Sequence, residues 1–408
     1  MTRLPLLYAT LKLQRTAYAD NLLKRYGPLV VIAPDQVHTS DQKAMKIIYD
    51  RTSIKTRFYE GMGSWKGVTV TLGFKTYSEA APSRNYLIQC FQNRNLSILV
   101  QNLQMHCQRF VDVLKKQSKS GDSTDGVYWF RLLALDIVSD VLWGEEKSLL
   151  LNTGDHGMAF LRRFHAFSKW NALKSFIPGA DFYVRNFGTQ EWKTLRKDCS
   201  EMDVSARDAL DRWKNRGEQS HDRDVLSMLL GMGQKDKTWV VPIDDMPAYM
   251  VEMMAAGSST SSHTAAFICW ALMRHPEAQK TLRQELFEAS PDINALNLEN
   301  TEPLPFLEAV IRETMRLWPM IPGPLERHLG KSITVNGMVV PPGVIASTSA
   351  YTQGRLESVY PGAEKFCPER WLNETEDMKT NWIPFGTGSR ACPGSNLVLT
   401  ELRYIVHM

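Results

Sequence analysis

Over the first two-thirds of the chain, apolar residues recur at three- and four-residue intervals between polar turns, which predicts a succession of helices. One helix is expected over Ile98–Leu114. Another is expected over Tyr128–Trp143, where Phe130, Leu133, Ile137, Val141 and Leu142 mark a broad apolar face. The polar stretches Lys116–Gly126 and Gly217–Arg223 read as surface connections. A longer helix should start near Asp244, which can cap it, with Pro247 in its first turn. Its apolar pattern persists to Met273, before His275-Pro276, and it should run through the centre of the protein. After a further helix ending near Pro319 the pattern changes to short strands. These are Ile333–Val335, an Asn336-Gly337 turn, Met338–Val340, then Pro341-Pro342-Gly343 and Val344–Ser349. The β content is then small and late, and a mainly α (α+β) fold with one minor sheet follows.

Composition narrows the class without changing the fold. With 408 residues, 43% hydrophobic and 23% charged, the chain is ordinary globular protein, neither disordered nor a small disulfide scaffold. Its length allows several domains or one large core; we read residues 1–408 as a single domain. The 48 basic and 44 acidic residues are spread along the chain, so no nucleic-acid-binding arm is expected. No stretch approaches the roughly 18 uninterrupted apolar residues of a membrane-spanning helix. Met1–Leu13 lacks the apolar core and cleavage site of a secretory signal. The six cysteines are dispersed, without a C-x-x-C pair, which points to a reduced, intracellular compartment.

The most informative stretch is Phe385-Gly386-Thr387-Gly388-Ser389-Arg390-Ala391-Cys392-Pro393-Gly394, a glycine-shaped loop that presents one cysteine before a helix starting near Ser395. Backbone N–H groups in such a loop can point at a sulfur, and a thiolate held this way suits the axial position of haem iron. Two other readings are a buried free cysteine beside a glycine turn and a phosphate-cradling loop. The glycines fit neither phosphate-binding pattern, so the latter is set aside. The string matches F-x-x-G-x-R-x-C-x-G and resembles the haem-binding signature of the cytochrome P450 family. That resemblance implies a helical fold with a long central helix and a small β-sheet, and haem b bound through Cys392. Phe385, Gly386, Gly388, Arg390 and Gly394 then form the cofactor-binding loop.

Glu313-Thr314-Met315-Arg316 is an E-x-x-R string, which on its own is a common solvated helix pair worth about 0.2–0.5 kcal/mol. Here a turn of 100° per residue puts Glu313 in the arc of Phe306, Val310 and Leu317, so the pair should project into the core and need further partners. Phe366-Cys367-Pro368-Glu369-Arg370-Trp371 resembles the family's F-x-P-E-R-[FW] segment, which implies a structural triad of Glu313, Arg316 and Arg370.

Within the long helix, Met253, Ala256, Gly257, Thr260 and Thr264 share one face of small residues and hydroxyls. Helix packing alone would account for such a strip. With the cysteine loop present, Ala256-Gly257-Ser258-Ser259-Thr260 resembles the family's [AG]-G-x-[DE]-T oxygen-binding segment, implying catalytic roles for Gly257, Ser259 and Thr260. Ser259 stands where the family usually has an acid, and a serine can only pass a proton on. Arg84, Arg327 and Arg390 are candidate partners of the haem propionates, since guanidinium binds carboxylate in bidentate fashion. Arg84 lies in a segment similar to R-x-x-L-x-x-x-F, with Ala80 where a tryptophan is common.

The resemblance implies a haem-thiolate monooxygenase of fungal secondary metabolism. Its partners would be a NADPH-dependent cytochrome P450 reductase and an apolar small molecule, with no nucleic acid. It also implies association with the endoplasmic reticulum membrane, and because the N-terminus lacks the hydrophobic anchor of microsomal members, peripheral contact without a transmembrane anchor in this chain is expected. The alternatives are a haem-thiolate isomerase or dehydratase, which would accommodate Ser259, and a non-catalytic haem-binding protein. The last is suggested by Leu397–Met408, which reads as a helix cut short where family members continue.

Overall fold

The computed structural model of the chain describes residues 2–99, 102–119, 125–152, 155–177, 179–216, 223–235, 241–289 and 304–408. Residues 120–124 and 217–222 of the expected polar connections lie outside them, as do residues 100 and 101 of the helix expected over Ile98–Leu114. The fold is mainly helical with small sheets. No helix among the described residues is long and apolar enough to cross a membrane.

Among the described residues the strands are β1 (Leu29–Ala33), β2 (Gln36–Thr39), β3 (Ile54–Lys55), β4 (Ser64–Trp65), β5 (Val68–Thr69), β6 (Arg327–His328), β7 (Ile333–Val335), β8 (Met338–Val340) and β9 (Ile345–Ser347). The late hairpin β7–β8 forms where expected: Asn336 at φ 49° and Gly337 at φ 79° give the two left-handed positions a two-residue hairpin turn requires. The expectation that β structure is confined to the late chain is wrong. The largest sheet runs β1-β2-β9-β6-β3, with β2 parallel to β9 and every other pair antiparallel. All four residues of β2 are buried, so it shows no alternation of apolar and polar residues to mark it as a strand.

The chain divides into two compact units. The first combines residues 1–56 with 267–392 and contains the five-stranded sheet. Its core packs the helix Gln42–Ile48 against the late strands, with Ile48, Ile333 and Ala346 fully buried. The helix Pro305–Leu317 starts with proline in its first turn, and the Glu285 carboxylate accepts the N–H groups of Phe306 and Leu307, both at 2.8 Å.

The second unit combines residues 57–266 with 393–408 and is almost wholly helical. The helix expected over Ile98–Leu114 is instead the end of Asn93–Leu99 and most of Leu103–Lys119. Asn102 stands as a turn just before the second helix, its side chain donating to Asp140 at 2.9 Å. The helix expected over Tyr128–Trp143 spans Gly126–Trp143, capped by the Asp125 carboxylate and closed by left-handed Gly144 at φ 58°. All five expected apolar residues are buried, but so are Leu132, Ala134, Leu135, Val138 and Trp143, so the helix is buried nearly all round.

The long helix spans Met246–Arg274, 29 residues, with Pro247 in its first turn. Asp244 does not cap it. Asp244 lies inside a short 3₁₀ turn, Ile243–Asp245, that leads into the helix. Buried positions recur along the helix at Met250, Met254, Ser258, Ser261, Ala265 and Ile268.

Candidate functional site

The cysteine loop is built by two left-handed glycines and by the first segment of the chain. Gly386 (φ 71°) and Gly388 (φ 68°) adopt backbone that L side chains avoid. A Cβ on Gly388 would meet Tyr49 O at 2.3 Å, so the close approach at this glycine is to a neighbouring carbonyl. Ser389 N donates to the same Tyr49 oxygen at 3.2 Å, and the Ser389 hydroxyl lies near Tyr49 O and Asp50 O. Cys392 N donates to Phe385 O at 2.8 Å, closing the loop on itself. Gly394 caps the helix Ser395–His407, in register with the expected start.

Cys392 is exposed, whereas Cys90, Cys107 and Cys199 are buried and Cys269 and Cys367 are half-buried. Burial pushes the Cys90 and Cys199 thiols up to about 12 and Cys269 up to about 11, and raises Cys107 and Cys367 as well. These five are poor sources of thiolate. Cys392 is therefore the cysteine whose surroundings fit the haem iron implied by the sequence.

The E-x-x-R pair is fully buried, as its helical arc predicts. The side chains of Glu313 and Arg316 are both 0% exposed, at 2.7 Å. Arg316 Nε and Nη2 donate to the two Glu313 oxygens; Nη1 donates to Gly354 O (2.6 Å) and Ala363 O (2.7 Å), and Nη2 also to Lys365 O (3.0 Å). All five guanidinium hydrogens are thus used. Glu313 in turn accepts from Cys367 N (2.8 Å), Arg370 Nε (3.2 Å) and Trp371 Nε1 (2.9 Å). The structure brings Glu313, Arg316 and Arg370 together, and adds Trp371, which sequence reasoning did not assign. The neighbouring Arg312 packs against both Trp371 and Trp382, 4.6 and 4.8 Å from their ring centroids, while the two indoles meet each other edge to face and Trp382 meets Phe385 edge to face. This cluster joins the buried pair to the start of the cysteine loop.

In the second unit, Ala256 is exposed in mid-helix and Thr260 beside it is half-buried, so the small-residue strip presents a surface one turn long. Thr260 Oγ1 donates back to Ala256 O at 2.6 Å and Thr264 Oγ1 to Thr260 O at 2.8 Å. Gly257 faces elsewhere: a Cβ there would lie 3.1 Å from Val138 Cγ2, so the glycine serves packing against the helix Gly126–Trp143. Ser259 O accepts His263 Nδ1 at 2.6 Å, which fixes the hydrogen of that ring on Nδ1.

Arg327, on β6, is 5% exposed, with its guanidinium 5.4 Å from the Tyr49 ring centroid and Nη1 donating to Glu326 O. Arg390 is half-buried within the cysteine loop, and Arg84 half-buried on the helix Tyr77–Cys90. Tyr49 is the main residue missed from sequence. Its hydroxyl donates to Leu325 O (2.9 Å) or Thr348 O (3.1 Å), its ring lies beside Arg327 and its carbonyl holds Ser389. Nothing local marks Ile47-Ile48-Tyr49-Asp50 as more than a helix end.

The protein-family model that the chain matches is Cytochrome P450, over residues 2–408. The chain is 25% identical over 397 residues to cytochrome P450 monooxygenase orf2 of Aspergillus niger, covering 95% of this chain and 79% of that protein. It is 28% identical over 407 residues to cytochrome P450 monooxygenase BOA3 of Botryotinia fuckeliana, covering 94% and 77%. With benzoate 4-monooxygenase bphA of Aspergillus niger it shares 26% over 439 aligned positions, covering 98% and 83%. Matched along nearly its whole length, the chain belongs to the cytochrome P450 family of monooxygenases.

Proposed function

We propose that residues 1–408 act as a single catalytic domain that binds haem b through Cys392 and inserts one oxygen atom of O2 into an apolar small molecule of secondary metabolism, with electrons from a NADPH-dependent cytochrome P450 reductase. The observation that carries this reading is the contrast between the exposed Cys392 in its glycine loop and the other five cysteines, three buried and two half-buried, whose thiols are all raised. When bound, a haem with a thiolate ligand supplies the difficult oxidation chemistry, since the thiolate favours O–O cleavage. The chain's part is to hold and orient. Gly386, Gly388 and the Tyr49 carbonyl fix the loop, so that the Cys392 sulfur is presented without rearrangement. Arg84, Arg327 and Arg390 supply guanidinium groups for the propionates. Half-buried Thr260, beside exposed Ala256, and half-buried Ser259 next to it offer hydroxyls to carry protons.

The names of its relatives support monooxygenation, and the family resemblance supports an apolar substrate and the endoplasmic reticulum as location. Ser259 in place of an acid favours the second reading, a haem-thiolate isomerase or dehydratase. The first test is the reduced, carbon-monoxide-bound spectrum, expected at the long wavelength of thiolate ligation and lost in Cys392→Ala. Retained haem with only the short-wavelength band in both proteins would sink the assignment. Product formation that depends on reductase and O2 supports monooxygenation, whereas rearrangement without them supports the second reading.

A further inference from the structure

Four hydroxyls of the long helix bond back to the carbonyl four residues earlier: Ser258 to Met254 (2.7 Å), Thr260 to Ala256 (2.6 Å), Ser261 to Gly257 (2.7 Å) and Thr264 to Thr260 (2.8 Å). Such back-bonding slightly loosens and bends a helix. At Ser261 a group from another helix joins in. Glu401, on the helix Ser395–His407, brings Oε2 to 2.7 Å from Ser261 Oγ.

The hydrogens must balance at this junction. Ser261 has one hydroxyl hydrogen, yet its oxygen lies 2.7 Å from Gly257 O and 2.7 Å from Glu401 Oε2. Gly257 O can only accept. Both contacts are hydrogen bonds together only if Ser261 donates to Gly257 O and receives from a Glu401 that carries the proton on Oε2. The surroundings favour that state. Glu401 is 1% exposed, its Oε1 is buried without a partner, and no ion pair reaches it among the described residues. Of the groups packed against it, the helix Leu103–Lys119 contributes Cys107, whose thiol burial and Glu401 both raise, and the long helix contributes Ser261. An ionised carboxylate here would have one bare oxygen in a dry interior.

We propose that Glu401, as the neutral acid, is a positioning residue for the oxygen-facing segment of the long helix, holding Ser261 and through it Gly257 from the helix that follows the cysteine loop. The role rests on the reading of Ala256–Thr260 as the oxygen-facing segment; the protonated junction itself does not. Loss of the proton turns the Ser261 hydrogen toward the carboxylate and releases Gly257 O, one turn before Ser261 and beside Thr260. Burial pushes the Glu401 carboxyl up to about 7, so this exchange falls in the neutral range.

The experiment is an infrared titration from about pH 5 to pH 9. In protein without haem, the C=O band of an un-ionised carboxylic acid is expected to fall about tenfold between pH 6 and pH 8 and to be missing in Glu401→Gln. In the reduced haem protein, bound carbon monoxide is the probe: its C–O stretch should shift with the same midpoint in wild type. It should become independent of pH in Glu401→Gln, whose amide donates permanently, and in Ser261→Ala, which breaks the junction from the other side. A merely structural role would leave the wild-type C–O stretch constant across this range. A wild-type thiolate spectrum without a titrating carboxyl band, or with a C–O stretch that titrates equally in Glu401→Gln, overturns the proposal alone. If the thiolate spectrum itself is missing, the haem-thiolate reading falls, and the role assigned to Glu401 falls with it.

Discussion

Removing Glu313 should unfold the first unit, and the size of the effect can be worked out from its partners. In Glu313→Ala, Arg316 keeps three carbonyls but loses both carboxylate oxygens while its side chain stays 0% exposed. Breaking a buried ion pair from one side costs about 3–5 kcal/mol. Cys367 N and Trp371 Nε1 also lose their acceptor, at about 1–3 kcal/mol for each buried donor. The total is at least about 5 kcal/mol, the whole stability of many domains. Little folded protein should accumulate. Glu313→Gln keeps one oxygen acceptor and should cost about 3 kcal/mol, which at a urea dependence of about 1–3 kcal/mol per molar lowers the unfolding midpoint by about 1–3 M. Replacing both partners, as Glu313→Leu with Arg316→Leu, should not restore stability, because Gly354 O, Ala363 O and Lys365 O then lack donors. The assay is urea unfolding followed by circular dichroism, with haem content measured alongside. A Glu313→Ala protein with the wild-type midpoint would refute the reasoning.

Gly388→Ala should abolish the thiolate-type spectrum, because its Cβ would stand 2.3 Å from Tyr49 O at φ 68°; Gly337→Ala, at φ 79° with nothing within 4 Å, should cost only the strain of about 1–2 kcal/mol, and equal melting temperatures would contradict the difference. Gly257→Ala should destabilise by about 1 kcal/mol through its contact with Val138, and Val138→Ala in the same protein should recover part of that; two additive losses would show that the residues are not in contact. Burial lowers His38 to about 4 from 6.5, so the protein holds it neutral and its contribution, about 3 kcal/mol, is present above pH 6.5 and lost as pH falls toward 4. His38→Gln should flatten that part of the stability profile. Glu401 runs the other way: raised to about 7 from 4.5, its contribution of similar size is full below pH 4.5 and lost as pH rises to 7, and Glu401→Gln should remove this slope from the melting curve measured against pH.

What could be read in the sequence was local. The cysteine loop declared itself because its glycines, arginine and cysteine lie within ten residues, and the β7–β8 hairpin because Asn336-Gly337 can form only a narrow class of turn. The burial of Glu313 followed from helical phase within one segment. By contrast, β2 pairs with β9 across more than 300 positions and has no alternation to betray it. Glu401 is a single carboxylate in an apolar helix, and its partner Ser261 is 140 residues away. Tyr49 acts through its backbone oxygen as much as its ring, and a carbonyl leaves no mark in a sequence. Asp244 was misplaced for a different reason: an acid before a helix is a good cap, but a 3₁₀ turn intervened.

The hold of Tyr49 on Ser389, 340 residues downstream, sets an order of events during synthesis. The first unit begins with residues 1–56, then waits while 57–266 emerge before its remaining segment, 267–392, arrives. At about 5–20 residues per second that interval lasts about 10–40 s, long enough for the second unit's helices to form from contacts nearby in sequence. The cysteine loop therefore closes only after residues 57–266 have emerged. Until then Tyr49 and the N-terminal strands have no late strands to pair with, and an exposed edge of β2 is available to a wrong partner. A ribosome-bound fragment ending short of Ser389 should therefore be unable to fix the cysteine loop.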